Sequence, residues 1–169
     1  MKFPLKHFIL FIGVVSTLGC GRFYDFQGIS IASELKSFQV ENFTFSDPQC
    51  QSGVEENMAE ALRRKIRDES PLTNDNTQPH ITFTGKVIRC STTYIAPTED
   101  NTTSLNRFEI SLAIEYFNNL DEEDYWKKNY SAFQDYDANT DFLSLQDDLT
   151  DQIVVDIVER IFNDAFTNW

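Results

Sequence analysis

The stretch Arg107-Phe-Glu-Ile-Ser-Leu-Ala-Ile-Glu-Tyr-Phe117 decides the fold. Phe108, Ile110, Leu112, Ile114 and Tyr116 recur at every second position, with Arg107, Glu109, Ser111 and Glu115 between them. A period of two marks a strand with one buried and one wetted face, whereas a helix brings its apolar residues back every three or four. Such a strand belongs to an antiparallel sheet covered on one side. Its neighbours in sequence agree. His80–Arg89 sets Ile81, Phe83 and Val87 against Thr82, Thr84 and Lys86, and Tyr125–Phe133 returns as a further strand. The turn-rich segment 94–103 and the acidic segment 118–124 join them. Upstream, Lys36–Phe45 alternates through Phe38, Val40, Phe43 and Phe45 until Asp47-Pro48 breaks it.

Two segments change period. In Ser52–Glu69, Val54, Met58, Ala61, Leu62 and Ile66 form one apolar helical face. Ser52 caps this helix with Glu55 in a capping box, Arg63, Arg64, Lys65 and Arg67 load its last turns, and Pro71 ends it. Leu145–Phe166 keeps helical spacing through Leu149, Ile153, Val154, Ile157, Val158, Ile161, Phe162, Ala165 and Phe166, with Ser144 as N-cap and Asp147 in the first turn. The expected class is therefore α+β. A four-stranded, mainly antiparallel sheet carries two helices on one face, in the order β-α-β-β-β-α, as a single domain over 36–169.

The N-terminus is of another kind. Lys2 and Lys6 precede an apolar run from Phe8 to Val15, and Thr17-Leu18-Gly19 lead into Cys20. Basic end, short apolar core and small residue at a cut site make a secretory leader over 1–19. A cysteine at that point predicts a bacterial lipoprotein, lipidated on Cys20, with Thr17 where a lipobox usually carries an aliphatic residue. Phe8 to Leu18 is too short for the roughly 20 apolar residues of a spanning helix. Residues 20–35 read as a tether carrying Phe23, Tyr24 and Phe26.

A formal charge of −13 argues against nucleic acid and against bare anionic lipid, leaving the lipid anchor and a protein partner to hold the chain at a membrane. Beyond Cys20 only Cys50 and Cys90 remain, a candidate disulfide in an oxidising compartment, with two buried free thiols as the competing reading. Catalytic motifs are missing. His80 stands alone beside Pro79, and neither a zinc motif, a nucleophile elbow nor a phosphate loop occurs. Asp135, Asp137, Asn139 and Asp141 space like the start of a calcium loop, but Thr140 and Gln146 replace its glycine and glutamate, so a polar connector is the reading taken. No cofactor or metal is expected.

Cys20-Gly21, Tyr24-Asp25-Phe26-Gln27-Gly28, Ser30-Ile31, Asn42-Phe43, Glu60-Ala61-Leu62, Gly85, Asn106-Arg107, Asp135-Tyr136-Asp137 and Asn168-Trp169 follow one another in an order and spacing that resembles the LptE lipoproteins of Bacteroidetes-type bacteria. The resemblance implies two helices on a four-stranded sheet and no catalysis. It further implies an outer-membrane lipoprotein, anchored on the periplasmic side, that plugs and helps assemble an LptD-like β-barrel and assists lipopolysaccharide insertion. In that setting Lys86, Arg107, Lys127 and Lys128, at exposed strand positions or strand starts, are the candidate contacts for lipid A phosphates. The rival reading is a periplasm-facing lipoprotein that binds another envelope protein or polymer.

Overall fold

The computed structural model describes residues 30–97 and 104–167. The leader expected over 1–19, Cys20, most of the expected tether, part of the 94–103 segment and Asn168-Trp169 lie outside the described residues. The elements are β1 (Ser37–Val40), β2 (Thr44–Phe45), α1 (Val54–Glu69), β3 (Thr73–Asn74), β4 (Ile81–Ile95), β5 (Leu105–Asn118), β6 (Tyr125–Asp137) and α2 (Phe142–Phe166). They build the expected α+β architecture.

Three long strands carry it. β4, β5 and β6 form an antiparallel meander in which Ile81 pairs with Asn118 and Ile95 with Leu105, while Leu105 pairs in turn with Asp137. Among the described residues the sheet has six strands rather than the expected four, ordered β3-β1-β4-β5-β6 with β2 also on β4. β1, β2 and β3 all pair in parallel. The expected single strand over Lys36–Phe45 divides because its alternation changes phase. Phe38 and Val40 are buried on one parity, whereas on the other Phe43 is buried and Phe45 is 47% exposed. Phe43 turns onto Gly85, where a Cβ would stand 2.7 Å from its ring carbons. Only glycine leaves room there.

Both helices lie against one face, α1 on β1, β3 and β4 and α2 on β5 and β6, and they touch each other. Val54, Met58, Leu62 and Ile66 of α1 meet Ile153, Ile157 and Ile161 of α2 in a core with Phe83, Ile110, Leu112 and Ile114. Lys65 ties the helices together, bonding Glu69 at 2.8 Å and Glu159 of α2 and lying over the Phe162 ring. Burial opposes its charge, but the two carboxylates outweigh this and raise its pKa.

The helix starts differ from expectation. Gly53, not Ser52, is the N-cap of α1; its φ of 95° is left-handed backbone that glycine adopts without steric penalty, and Glu55 accepts its N–H at 3.2 Å. α2 begins at Phe142 with Asp141 as N-cap, because Phe142 packs on Phe108 and Tyr136 and draws the helix back one turn. Ser144 instead donates its hydroxyl to the Asp141 carbonyl. β4 and β6 also run further than expected, to Ile95 and Asp137. Asp135 and Asp137 are thus strand residues, not a connector.

Cys50 and Cys90 are joined, Sγ to Sγ at 2.01 Å. Cys90 lies within β4 rather than after it, and its N–H donates to Asp47 Oδ2 at 3.2 Å. The covalent link and this hydrogen bond pin the 46–50 turn to β4.

Candidate partner-facing surface

Because both helices cover the same side, the other face of the meander is bare of helices among the described residues. Cross-strand register orders it into rows. Thr84–Glu115–Lys127, Lys86–Ala113–Asn129, Arg89–Ser111–Ser131, Ser91–Glu109–Phe133 and Thr93–Arg107–Asp135 run across β4, β5 and β6. In the middle rows Ala113, Ser111, Asn129 and Ser131 occupy β5 and β6, and Lys86 and Arg89 stand on β4. Phe117 and Tyr125, with ring centroids 5.0 Å apart, stand at one end and Phe133 toward the other.

The four cations singled out from sequence do not form one cluster. Arg107 grips Asp135 bidentately at 2.8 and 2.9 Å, with its guanidinium 3.5 Å over the Phe133 ring. Hydrogen bonding from Arg107 lowers the Asp135 pKa. Lys127 bonds Glu115, which raises the lysine pKa. Lys128 is paired with Ile114 and therefore sits on the helix side, where it reaches Asp164 of α2 at 2.9 Å. Burial works against the Asp164 charge, but bonds from Lys128 and from Tyr130 at 2.7 Å prevail and lower its pKa. Lys86 is exposed and, among the described residues, has no carboxylate partner.

A fifth cation belongs with Lys86, and sequence reasoning missed it. Pairing slips between Val87 and Arg89, so that Arg89 faces Ser111 on the bare side. The signal lay in the alternation itself. Continued past Val87, the period of two puts a charged Arg89 into the core; one extra residue at Ile88 turns Arg89 outward and brings Cys90 in, leaving Ile88 37% exposed.

Other polar features are structural. His80 Nδ1 accepts the Lys36 N–H at 3.0 Å, which holds the start of β1 to that of β4. Arg63 donates to the Val40 carbonyl and to Asn42 and pairs with Glu60. Tyr116 donates to Asp124 at 3.3 Å, and burial first, then that carboxylate, raises its pKa. Among the described residues no group of three or more His, Cys, Asp or Glu gathers as a metal site, and no helix is long and apolar enough to cross a membrane.

The described residues form a two-layer α+β domain whose helix-free sheet face carries two cations paired with carboxylates, Arg107 and Lys127, and two without a carboxylate partner among those residues, Lys86 and Arg89. The family comparison is more specific: the profile described as LptE, lipopolysaccharide-assembly, matches residues 35–165, and the chain belongs to that family. Its members are lipopolysaccharide-assembly lipoproteins. No curated protein matches the chain in sequence. Among solved structures, the fold is similar to the hypothetical protein CT253 from Chlamydia trachomatis, at 9% identity and TM-score 0.50, covering 76% of this chain and 96% of that one. It is also similar to XCC0632 from Xanthomonas campestris, at 10% identity and TM-score 0.53, covering 76% and 83%. The rare lipoprotein B from Shewanella oneidensis aligns at 10% identity and TM-score 0.44, covering 75% and 93%.

Proposed function

We propose that this protein is a non-catalytic, outer-membrane lipoprotein that sits inside an LptD-like β-barrel, helps that barrel assemble and assists the passage of lipopolysaccharide into the outer leaflet. Family membership over nearly the whole domain is the observation that carries this reading. The surface gives it a physical form. A large barrel encloses a polar lumen, and a sheet face of Ser, Thr, Asn and charged residues presents hydrogen-bonding groups to such a lumen. In this reading Cys20 carries the lipid, residues 1–19 are removed, and the tether holds the 36–169 domain on the periplasmic side.

The proposed lipid A contacts follow from the charges left uncompensated. Arg107, Lys127 and Lys128 each already hold a carboxylate, so binding a phosphate through them means breaking an ion pair. Lys86 has no such competitor among the described residues. Tagged, lipidated protein should therefore be recovered from detergent-solubilised outer membranes with a stoichiometric, heat-modifiable barrel, identified by mass. Recovery of the protein alone at native expression overturns the plug reading and favours the rival, a lipoprotein bound to another envelope component.

A further inference from the structure

We propose that the bare sheet face carries an anion site for a phosphate monoester, formed by Lys86 and Arg89 of β4, Ser111 of β5, and Asn129 and Ser131 of β6. Register makes the case. Lys86 lies opposite Ala113 and Arg89 opposite Ser111, and these two β5 residues, two apart, share a face. β6 continues the same rows with Asn129 and Ser131. In an unbroken strand Lys86 and Arg89, three apart, face opposite ways. The bulge at Ile88 brings both cations to one side. A cavity of about 310 Å³ opens beside Arg89, lined by Ile88, Arg89, Ser111, Asn129, Tyr130 and Ser131, and Lys86 stands outside this lining in the neighbouring row, opposite Ala113 and in line with Asn129.

The donor set suits tetrahedral oxygens. A guanidinium forks onto two phosphate oxygens, and hydroxyls and an amide N–H donate to the remainder. Neither Lys86 nor Arg89 has a carboxylate partner among the described residues, in contrast to Arg107, Lys127 and Lys128. The two flanking rows contribute Glu115, which Lys127 occupies, and Glu109, whose only bond here is a long one of 3.5 Å from the Ser111 hydroxyl. On these two rows, among the described residues, Glu109 is thus the carboxylate without an ion pair of its own, its charge felt by Arg107 in the next row, and it opposes an anion. The source of the phosphate, a lipid headgroup, rests on the function proposed above; the site itself does not.

The test is calorimetric titration of the full lipidated protein in detergent with three probes: lipid A in the same detergent, lipid A stripped of its phosphates, and inorganic phosphate. Lys86→Gln with Arg89→Gln should weaken lipid A binding by at least about tenfold, the loss expected of two charge-assisted contacts. Glu109→Gln should tighten it, and Lys128→Gln, on the other face, should leave it unchanged. An unaltered unfolding midpoint shows that the double variant is folded. Equal affinity of the double variant, or equal binding of the stripped lipid, overturns the proposal. Inorganic phosphate binding with the same dependence on Lys86 and Arg89, and displacing lipid A in full, supports the pocket and assigns it to free phosphate. Barrel recovery is scored separately, so loss of the site and loss of the plug reading are distinguishable.

Discussion

At the scale of single residues, the sheet depends on one missing side chain. Phe43 lies flat against Gly85 with its ring 2.7 Å from where a Cβ would be. Gly85→Ala forces that ring outward and should lower stability by roughly 1–3 kcal/mol, the usual penalty for overpacking. Phe43→Leu in the same chain should recover part of the loss, read as the urea midpoint; an unshifted midpoint in Gly85→Ala alone contradicts the packing. Asp135 makes a different kind of prediction. Its pKa is lowered in the folded state by the bond from Arg107, so the pair stabilises above the ordinary aspartate value near 3.9, and that stability disappears as pH falls through the lower folded value. Asp135→Asn should melt earlier than the wild-type protein at pH 7 and converge with it in strong acid. Parallel melting curves at every pH would count against the ion pair.

Secondary-structure elements show what the sequence made legible and what it concealed. The β5 alternation and the long apolar spacing of α2 were plain because each satisfies one period over many residues. The short parallel strands were concealed because β2 and β3 have two residues each, too few to show a period. Arg89 was concealed for the opposite reason: a bulge inverts a period that continues on either side. The start of α2 was set by Phe142 packing on Phe108, a contact between residues far apart in sequence. The disulfide, too, was decided by tertiary placement. It closes a separation of 40 residues from the 46–50 turn onto β4. Replacing both cysteines by serine frees that loop in the unfolded chain and should lower stability by about 4 kcal/mol in the chain-entropy model. Equilibrium denaturation checks the value. An unchanged midpoint in the double variant shows that hydrogen bonds such as Cys90 N–H to Asp47 suffice without the covalent link.

For the whole molecule, the point where the tether joins fixes a direction. The Ser30 N–H donates to the carbonyl of Phe166 at 2.8 Å, and Phe166 packs edge-on against Phe83. Phe83 pairs with Tyr116, near the end of the meander closed by residues 119–124. The chain from Cys20 to Ser30 reaches at most about 35 Å fully extended. β4 continues from Phe83 to Ile95, about 40 Å further at strand rise. If Cys20 carries its lipid in the inner leaflet and the domain sits in a barrel, as proposed above, seating the 119–124 end deepest in the lumen means lifting Ser30 across a hydrocarbon layer roughly 30 Å thick, which consumes nearly the whole tether. Seating the Ile95–Leu105 end deepest leaves Ser30 beside its anchor and the tether slack. The second arrangement is therefore the expected one. A photoreactive residue at Ala96 in the lipidated protein should crosslink to the extracellular side of the barrel, and one at Leu120, which is 55% exposed, should crosslink to its periplasmic rim. The reverse pattern sinks this orientation while keeping the plug, because both crosslinks still require a barrel around the domain. Lengthening the tether offers an independent check: if the anchor leaves it slack, inserting a few Gly-Ser residues after Gly28 should leave both crosslinks unchanged, whereas a taut tether should shift them.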